Sequence, residues 1–473
     1  MNDIRRTKIV CTLGPSSDTP EIIERMINAG MNVARLNFSH GSHEDHGEKI
    51  KLIRELAKKL NRPVAILQDL AGPKIRIGKI PEPGLMLQPG EEIVLTTIIE
   101  NTGPKHIFVS YTPLPDEVRA GDRILLADGL LELTVLETKT TEILCRVVTG
   151  GLLTSNKGIN LPTGTIRAPA VTEKDKRDLL FGLANEVDYV AVSFVKTAQD
   201  IISVREIIAQ NKKDTPVVAK IEKHEAVDEL AEIIAASDGV MVARGDLGVE
   251  IPLEDVPLIQ KKIIKEAGSQ GKFVITATQM LRSMVESPRP TRAEAADVAN
   301  AVLDGTDAVM LSEESASGNY PVEAVKFMDK ICRTAERGFP YRDYLELKPK
   351  KEVSESVAHA ACVLADHLDA RFIVSRTLSG ATARYIARFR PRQPVLALSP
   401  EEKTVRRLVI IRGCFPFLAH DADLPVQLLE EAARAVLPNA FFSPNDLIVI
   451  TRGETQWLTG STNILQVKRL INS

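Results

Sequence analysis

Sulfur chemistry is sparse in this chain. Its 473 residues hold five cysteines, Cys11, Cys145, Cys332, Cys362 and Cys414, an odd number scattered without a CxxC pair. Neither a disulfide framework nor a cysteine zinc site is therefore expected. No apolar run reaches the ~18 residues of a membrane-spanning helix. A dominant charge is missing too: 60 basic and 63 acidic residues leave a net −3. Nucleic acids and anionic membranes favour a concentrated basic face, so neither is expected as the main partner. The opening MNDIRR lacks the apolar core and cleavage site of a secretory signal, which makes a cytoplasmic location the expectation. Tryptophan occurs once, at Trp457, where packing or an effector-loop contact is expected.

What is present is the composition of a globular protein, 44% hydrophobic and 26% charged, long enough for roughly three domains at ~150 residues each. Eight short, β-branched apolar runs recur: TKIVCTLG (7–14), NVARLNFS (32–39), VAILQDL (64–70), DYVAVSFV (188–195), VVAKIE (217–222), GVMVARGD (239–246), FVITATQ (273–279) and AVMLSEE (308–314). Helical stretches such as TPEIIERMINAG separate most of them. Alternating strand and helix implies a parallel sheet. Eight units fit an open doubly wound sheet or, preferably, a (β/α)8 TIM barrel. About a hundred residues interrupt the rhythm after Leu70, and they alternate instead with a period of two. Asp128-Gly129 between two apolar runs signals a hairpin. The expectation is an α/β chain: a catalytic barrel over 1–72 and 170–340, an inserted β-barrel lid over 73–169, and a C-terminal α/β regulatory domain over 341–473.

Chemistry in such barrels collects at the C-terminal strand ends. On the second run Arg35, Asn37 and Ser39 share one face, because side chains alternate along a strand. The third run ends in Asp69, the fifth in Lys220-Ile221-Glu222, the sixth in Arg244-Gly245-Asp246, the seventh in Thr276-Ala277-Thr278-Gln279. Glu222 and Asp246, on neighbouring strands, suit a hard divalent ion such as Mg²⁺ or Mn²⁺. Lys220 and Arg35 beside it would favour a substrate that bears phosphate. The GDLG turn at 245–248 offers backbone N–H groups for an anion. Singly, each feature has an ordinary reading: a salt bridge, a turn, a polar plug at a barrel end. Five polar strand ends together point to a site.

These residues resemble the pyruvate kinase family over essentially the whole chain. The resemblance rests on KIVCTLGPSS (8–17), MNVARLNFSHG (31–41), QDLAGPKIRIG (68–78), NKGINLP (156–162), VAVSFVK (190–196), AKIEKHEAV (219–227), VMVARGDLGVEIP (240–252) and the stretch 277–312. It implies transfer of a phosphoryl group from phosphoenolpyruvate to ADP, giving pyruvate and ATP, with Lys220 neutralising charge on the group in flight. It further implies Glu222 and Asp246 on Mg²⁺ or Mn²⁺, Arg35 on the phosphate, and Gly245, Asp246 and Thr278 orienting the substrate. Thr278 would also join a proton relay, and Arg76 and Lys157 would meet the nucleotide phosphates. Family members are usually homotetramers, the expectation here. A metal-dependent barrel lyase or aldolase, and a non-catalytic phosphometabolite sensor, are weaker readings, since Arg35, Lys220, Glu222, Asp246 and Thr278 are all present.

Two departures from the family pattern stand out. Potassium-dependent members carry an acidic residue where this chain has Lys74 and a threonine where it has Leu70. The monovalent-cation position, Asn37, Ser39, Asp69 and Leu70, is thus expected to be served by the Lys74 ammonium, with no potassium requirement. Ser312-Glu313-Glu314-Ser315 puts a carboxylate where the family has glycine, and leaves the contacts there open. In the C-terminal part, Thr377, Ser379, Gly380, Thr382 and Arg384 surround a helix start, which reads as a phosphate cradle for a phosphorylated effector or as a plain N-cap. Fructose bisphosphate, a sugar monophosphate and AMP all remain open. Arg384, Arg388, Arg390 and Arg392 read as a solvated face, an effector ligand set or a subunit contact.

Overall fold

The computed structural model describes residues 4–103, 105–162, 164, 167–420, 426–436, 445–453 and 462–470. Trp457 and most of the loop around it lie outside these residues. The first three strands are β1 (Lys8–Thr12), β2 (Val33–Asn37) and β3 (Ala65–Asp69). Then come the inserted strands β4 (Leu85–Leu87), β5 (Glu92–Thr96), β6 (His106–Phe108), β7 (Arg123–Leu126), β8 (Leu131–Thr138), β9 (Glu142–Thr149), β10 (Gly151–Leu153) and β11 (Ile159–Asn160). The parallel run resumes with β12 (Tyr189–Val192), β13 (Val217–Ile221), β14 (Gly239–Ala243), β15 (Phe273–Ala277) and β16 (Ala308–Leu311). β1–β3 and β12–β16 close into an eight-stranded barrel.

The helices between barrel strands start where side chains satisfy free backbone N–H groups. Ser42 with Asp45, Thr172 with Asp175 and Thr291 with Glu294 form reciprocal caps. Thr19 caps the helix Pro20–Ala29, whose proline sits in the first turn. Alternation along the strands sorts the core into two layers. Ile9, Cys11, Ala34 and Leu36 pack with the helices, whereas Val10, Val33, Leu67 and Met241 form a separate cluster on the other face.

The inserted strands make a six-stranded sheet, β11-β7-β8-β9-β5-β6, and a two-stranded ribbon, β10-β4. Arg76 bridges Gly158 beside β11, and Ile77 bridges Val109 beside β6, so one segment joins both edges of the sheet and rolls it closed. The hairpin at Asp128-Gly129 forms between β7 and β8, with φ of 55° and 87° at these residues.

The C-terminal domain stacks β17 (Phe372–Arg376), β18 (Val395–Ser399), β19 (Cys414–Leu418), β20 (Leu447–Gly453) and β21 (Thr462–Arg469) in the order β19-β18-β17-β20-β21. Only β21 runs antiparallel, on β20. Leu408, Ile410 and Cys414 of this domain join the inner cluster of the barrel, so the domain seals the N-terminal strand ends.

Two of the four arginines near the effector loop hold structure. Arg390 grips Asp307 through both nitrogens at 2.6 and 2.7 Å, Arg388 pairs with Glu355, and Arg392 lies over the Tyr341 ring. Arg388 and Arg390 are drawn into packing by their carboxylate partners, whereas Arg392 is exposed and keeps the reading of a solvated face.

Candidate active site

Four of the expected site residues meet at the C-terminal mouth of the barrel. Arg35 Nε donates to Asp69 Oδ2 at 2.6 Å, and Arg35 Nη1 donates to Thr12 Oγ1 at 2.9 Å. The Lys220 ammonium lies 3.2 Å from Asp69 Oδ1 and 2.8 Å from Glu222 Oε1. It also donates to Ser193 Oγ at 2.7 Å. Strand pairing explains the meeting: Arg35 sits beside Leu67, Asp69 beside Ala191, and Lys220 beside Met241. Residues near the ends of four neighbouring strands thus converge by register alone.

Charge in this cluster is strongly coupled because water is excluded. Burial alone would draw the Lys220 ammonium down, but Asp69 and Glu222 more than offset it and hold it above its ordinary value. Burial would raise Asp69, yet Lys220 and Arg35 keep it below the usual carboxylate range. Glu222 goes the other way. Burial pushes it up, and although the Lys220 ammonium draws it down, burial together with the smaller repulsion from Asp246 wins. A buried carboxylate left above its ordinary value is short of positive charge. Glu222 and Asp246 therefore fit a divalent cation.

Beyond β14 the sixth run does not continue as a strand. Arg244–Glu250 is helical, so Gly245 and Asp246 lie in a helical first turn rather than in a free turn. The Gly245 N–H donates to Thr278 Oγ1 at 2.7 Å, and that hydroxyl is 2.6 Å from the Ala277 carbonyl. Thr278 itself follows the end of β15 with φ 69°, and Gln279 has φ 54°. A β-branched residue in the left-handed region is strained. Arg244 holds it there, donating to the Thr278 carbonyl at 2.8 Å while pairing with Asp297 at 2.7 Å.

The inserted domain covers one side of this mouth. A cleft lies between them, lined in part by Lys74, Asn160, Phe194, Lys196, Lys223 and Asp246. Arg76 and Lys157 sit on adjoining backbone of the inserted domain, with the Ile77 N–H donating to the Lys157 carbonyl at 2.9 Å. Lys157 is exposed. Lys74 lies 3.9 Å from Asp128 of the lid hairpin. Among the described residues this is the ion pair it makes, and Asp69 is held instead by Arg35 and Lys220. Asn37 Oδ1 accepts from the Ser39 N–H at 3.1 Å, and the Leu70 side chain is buried.

Beside the cleft is a second charged group. Glu250 Oε1 accepts from Lys223 at 2.7 Å and from Asn160 of the inserted domain at 2.9 Å. His224 stands 3.5 Å from the other Glu250 oxygen and 3.2 Å from Glu225, and Glu250 raises the proton affinity of its ring. A lysine and a histidine face two carboxylates here. Glu313, the residue in place of glycine, pairs with Arg282 at 3.0 Å on the surface, while Glu314 turns inward to accept from the Ser312 and Leu281 N–H groups.

In the C-terminal domain, Thr377 Oγ1 accepts from the Gly380 N–H at 2.9 Å. Gly380 is left-handed at φ 82°, and the helix Ala381–Arg388 begins without a side-chain cap. Thr382 bonds Thr462 on β21 at 2.5 Å, and Arg384 reaches back to the Ser379 carbonyl at 3.4 Å.

Ser193, the Phe194 amide and Arg244 hold the site together, and their roles escape sequence reasoning. The Phe194 N–H donates to Glu222 Oε2 at 2.8 Å. Ser193 and Phe194 do lie at a strand end, a cue that singles out the right loop but not the atoms.

A closed (β/α)8 barrel whose mouth gathers two buried cations and a carboxylate pair suited to a metal defines a phosphotransferase. Comparison with known proteins agrees. Residues 4–325 match the family model for the pyruvate kinase barrel domain, and residues 355–468 match that for the pyruvate kinase alpha/beta domain. Pyruvate kinase 2 of Synechocystis sp. is 47% identical over 468 residues, covering 98% of this chain and 79% of that protein. Pyruvate kinase of Geobacillus stearothermophilus is 45% identical over 473 residues, 98% of this chain and 80% of its own. Pyruvate kinase of Clostridium acetobutylicum is 43% identical over 470 residues, 98% of this chain and 99% of its own. The chain belongs to the pyruvate kinase family.

Proposed function

We propose that this protein transfers the phosphoryl group of phosphoenolpyruvate to ADP, giving pyruvate and ATP. The observation that carries the reading is the Lys220 ammonium, kept charged by Asp69 and Glu222 and set beside Arg35 in a largely buried pocket. A preorganised cation in such a place stabilises the charge of a phosphoryl group in flight far better than water does. Arg35, fixed by Asp69 and Thr12, binds the phosphate. Glu222 and Asp246 would hold Mg²⁺ or Mn²⁺, which would supply charge neutralisation to the phosphoryl substrate. The Gly245 and Asp246 backbone receives the substrate carboxylate once Thr278 releases the Gly245 N–H. The Thr278 oxygen then has a lone pair free to join the proton relay to the enolate carbon, its O–H having to leave the Ala277 carbonyl if it is to donate. Arg76 and Lys157 meet the nucleotide phosphates from the inserted domain.

The absence of a potassium requirement rests on Lys74 standing where potassium-dependent family members carry an acidic residue; its ammonium lies beside Asp128 rather than on Asp69. A phosphorylated effector at Thr377, Ser379, Gly380, Thr382 and Arg384 is supported by the uncapped helix start at Gly380. A homotetramer is the proposed assembly. Among the described residues no helix is long and apolar enough to cross a membrane, and a cytoplasmic location remains the reading.

The test is pyruvate formation from phosphoenolpyruvate and ADP with Mg²⁺, with and without potassium. Lys220→Met should lower turnover by at least about a hundredfold to a thousandfold, the loss typical of a transition-state electrostatic contact. Near-normal turnover in that variant would end the assignment of Lys220. Activity that appears only with potassium would keep the reaction and discard the role of Lys74.

A further inference from the structure

The Lys220 ammonium has three partners, two of which, held as ion pairs, have other duties. Asp69 is shared with Arg35, and Glu222 belongs to the proposed metal pair. The third, Ser193 Oγ at 2.7 Å, is neutral. Its own polarity is fixed, because the hydroxyl donates to the Leu70 carbonyl at 2.8 Å and so turns its lone pairs toward Lys220. Ser193 is 2% exposed. The next residue, Phe194, is left-handed at φ 55°, and this aims its N–H at Glu222 Oε2. One two-residue turn after β12 therefore holds both ends of the Lys220–Glu222 pair, accepting from the ammonium and donating to the carboxylate.

We propose that Ser193 is a positioning residue for Lys220, keeping the ammonium aimed into the phosphoryl pocket when a metal draws Glu222 away. A neutral acceptor suits this task because it orients the ammonium without cancelling its charge, as a third carboxylate would. The inference rests on Lys220 acting as the phosphoryl cation.

The experiment compares wild type, Ser193→Ala and Lys220→Met in phosphoenolpyruvate-to-ADP transfer, and measures Mn²⁺ binding to each in the absence of substrate. Ser193→Ala should lower kcat on the order of tenfold to a hundredfold, the scale of one hydrogen bond to a charged group. Its KM for phosphoenolpyruvate should move much less, about threefold at most, and Mn²⁺ affinity should hold, since both proposed metal ligands are intact. A parallel fall in Mn²⁺ affinity would assign Ser193 to general support of the mouth and overturn the proposal. So would a wild-type kcat in Ser193→Ala beside an inactive Lys220→Met. Full turnover in Lys220→Met would instead remove the reading on which the inference rests.

Discussion

Asp69 shows how one side chain can organise a site it need not touch in the reaction. It is 1% exposed and neutralises Arg35 and Lys220 together, which lets two cations stand side by side in a low-dielectric pocket. Asp69→Asn keeps the shape and removes the charge. We expect kcat/KM for phosphoenolpyruvate to fall on the order of a hundredfold, since hydrogen bonds to charged groups are worth ~1.5–3 kcal/mol each. Steady-state kinetics within threefold of wild type would show that the pair is held by the barrel wall instead. Lys8 offers a contrast, a buried ammonium far from the chemistry that donates to the Cys414 carbonyl at 2.6 Å. Burial pulls it from 10.5 down to about 8. The folded chain then loses that proton before the unfolded chain does, so this group costs stability below pH 8 and the cost disappears as pH climbs from 8 toward 10.5. Lys8→Met should therefore melt above wild type at pH 7, with the difference shrinking across that window. A difference constant with pH would trace the effect to packing alone.

Among the elements, the inserted domain depends on small contacts for its pose over the barrel. β11 reaches the helix Arg244–Glu250 through Asn160 and Glu250, and that helix carries Gly245 and Asp246. Asn160→Ala removes this tie while Lys223 still satisfies Glu250. We expect faster amide exchange in β11 and a severalfold rise in KM for ADP, with the thermal midpoint little changed. Unaltered exchange in β11 would mean that the Asn160–Glu250 bond does not hold the pose of the inserted domain. The strands and helices were legible in the sequence because their signals are local: alternation, caps, and the Asp128-Gly129 turn. Strand ends were harder. VARGDLG reads as a strand into a turn, yet the chain turns helical at Arg244, because that arginine spends its guanidinium on Asp297 and on the backbone beyond β15. Residue types at the site could be read, since Lys220, Glu222, Arg35 and Asp69 are costly in a barrel unless used. Their mutual contacts could not. The Ser193 bond and the Lys74 partner depend on register between strands and on the pose of the inserted domain, and no local pattern encodes either.

Across the whole molecule, the barrel's two ends have opposite roles, and a single ion pair dominates the closed one. Asp307, just before β16, accepts from Arg390 on both oxygens, from the Arg412 N–H at 3.1 Å and from the Val274 N–H at 3.1 Å. Arg390 also reaches the Gly305 carbonyl at 3.0 Å. Around them the barrel's inner cluster runs on into Leu408 and Ile410, so barrel and C-terminal domain share an apolar core beside the buried Arg390–Asp307 pair. Two further contacts sit at the edge, Arg406 on Asp188 at 2.8 Å and Arg407 on Asp214 at 3.2 Å. The second of these is solvent-exposed and contributes little. Arg390→Met strips Asp307 of its cation and should destabilise the fold by about 3–5 kcal/mol, because the remaining charge stays buried. The loss falls on the domain junction, so calorimetry should resolve two transitions where wild type gives one. Well below the first transition the variant should turn over at close to the wild-type rate, since Lys220, Glu222 and Thr278 stand at the other end of the strands. One cooperative transition at a lower temperature would instead make the barrel and the C-terminal domain a single folding unit.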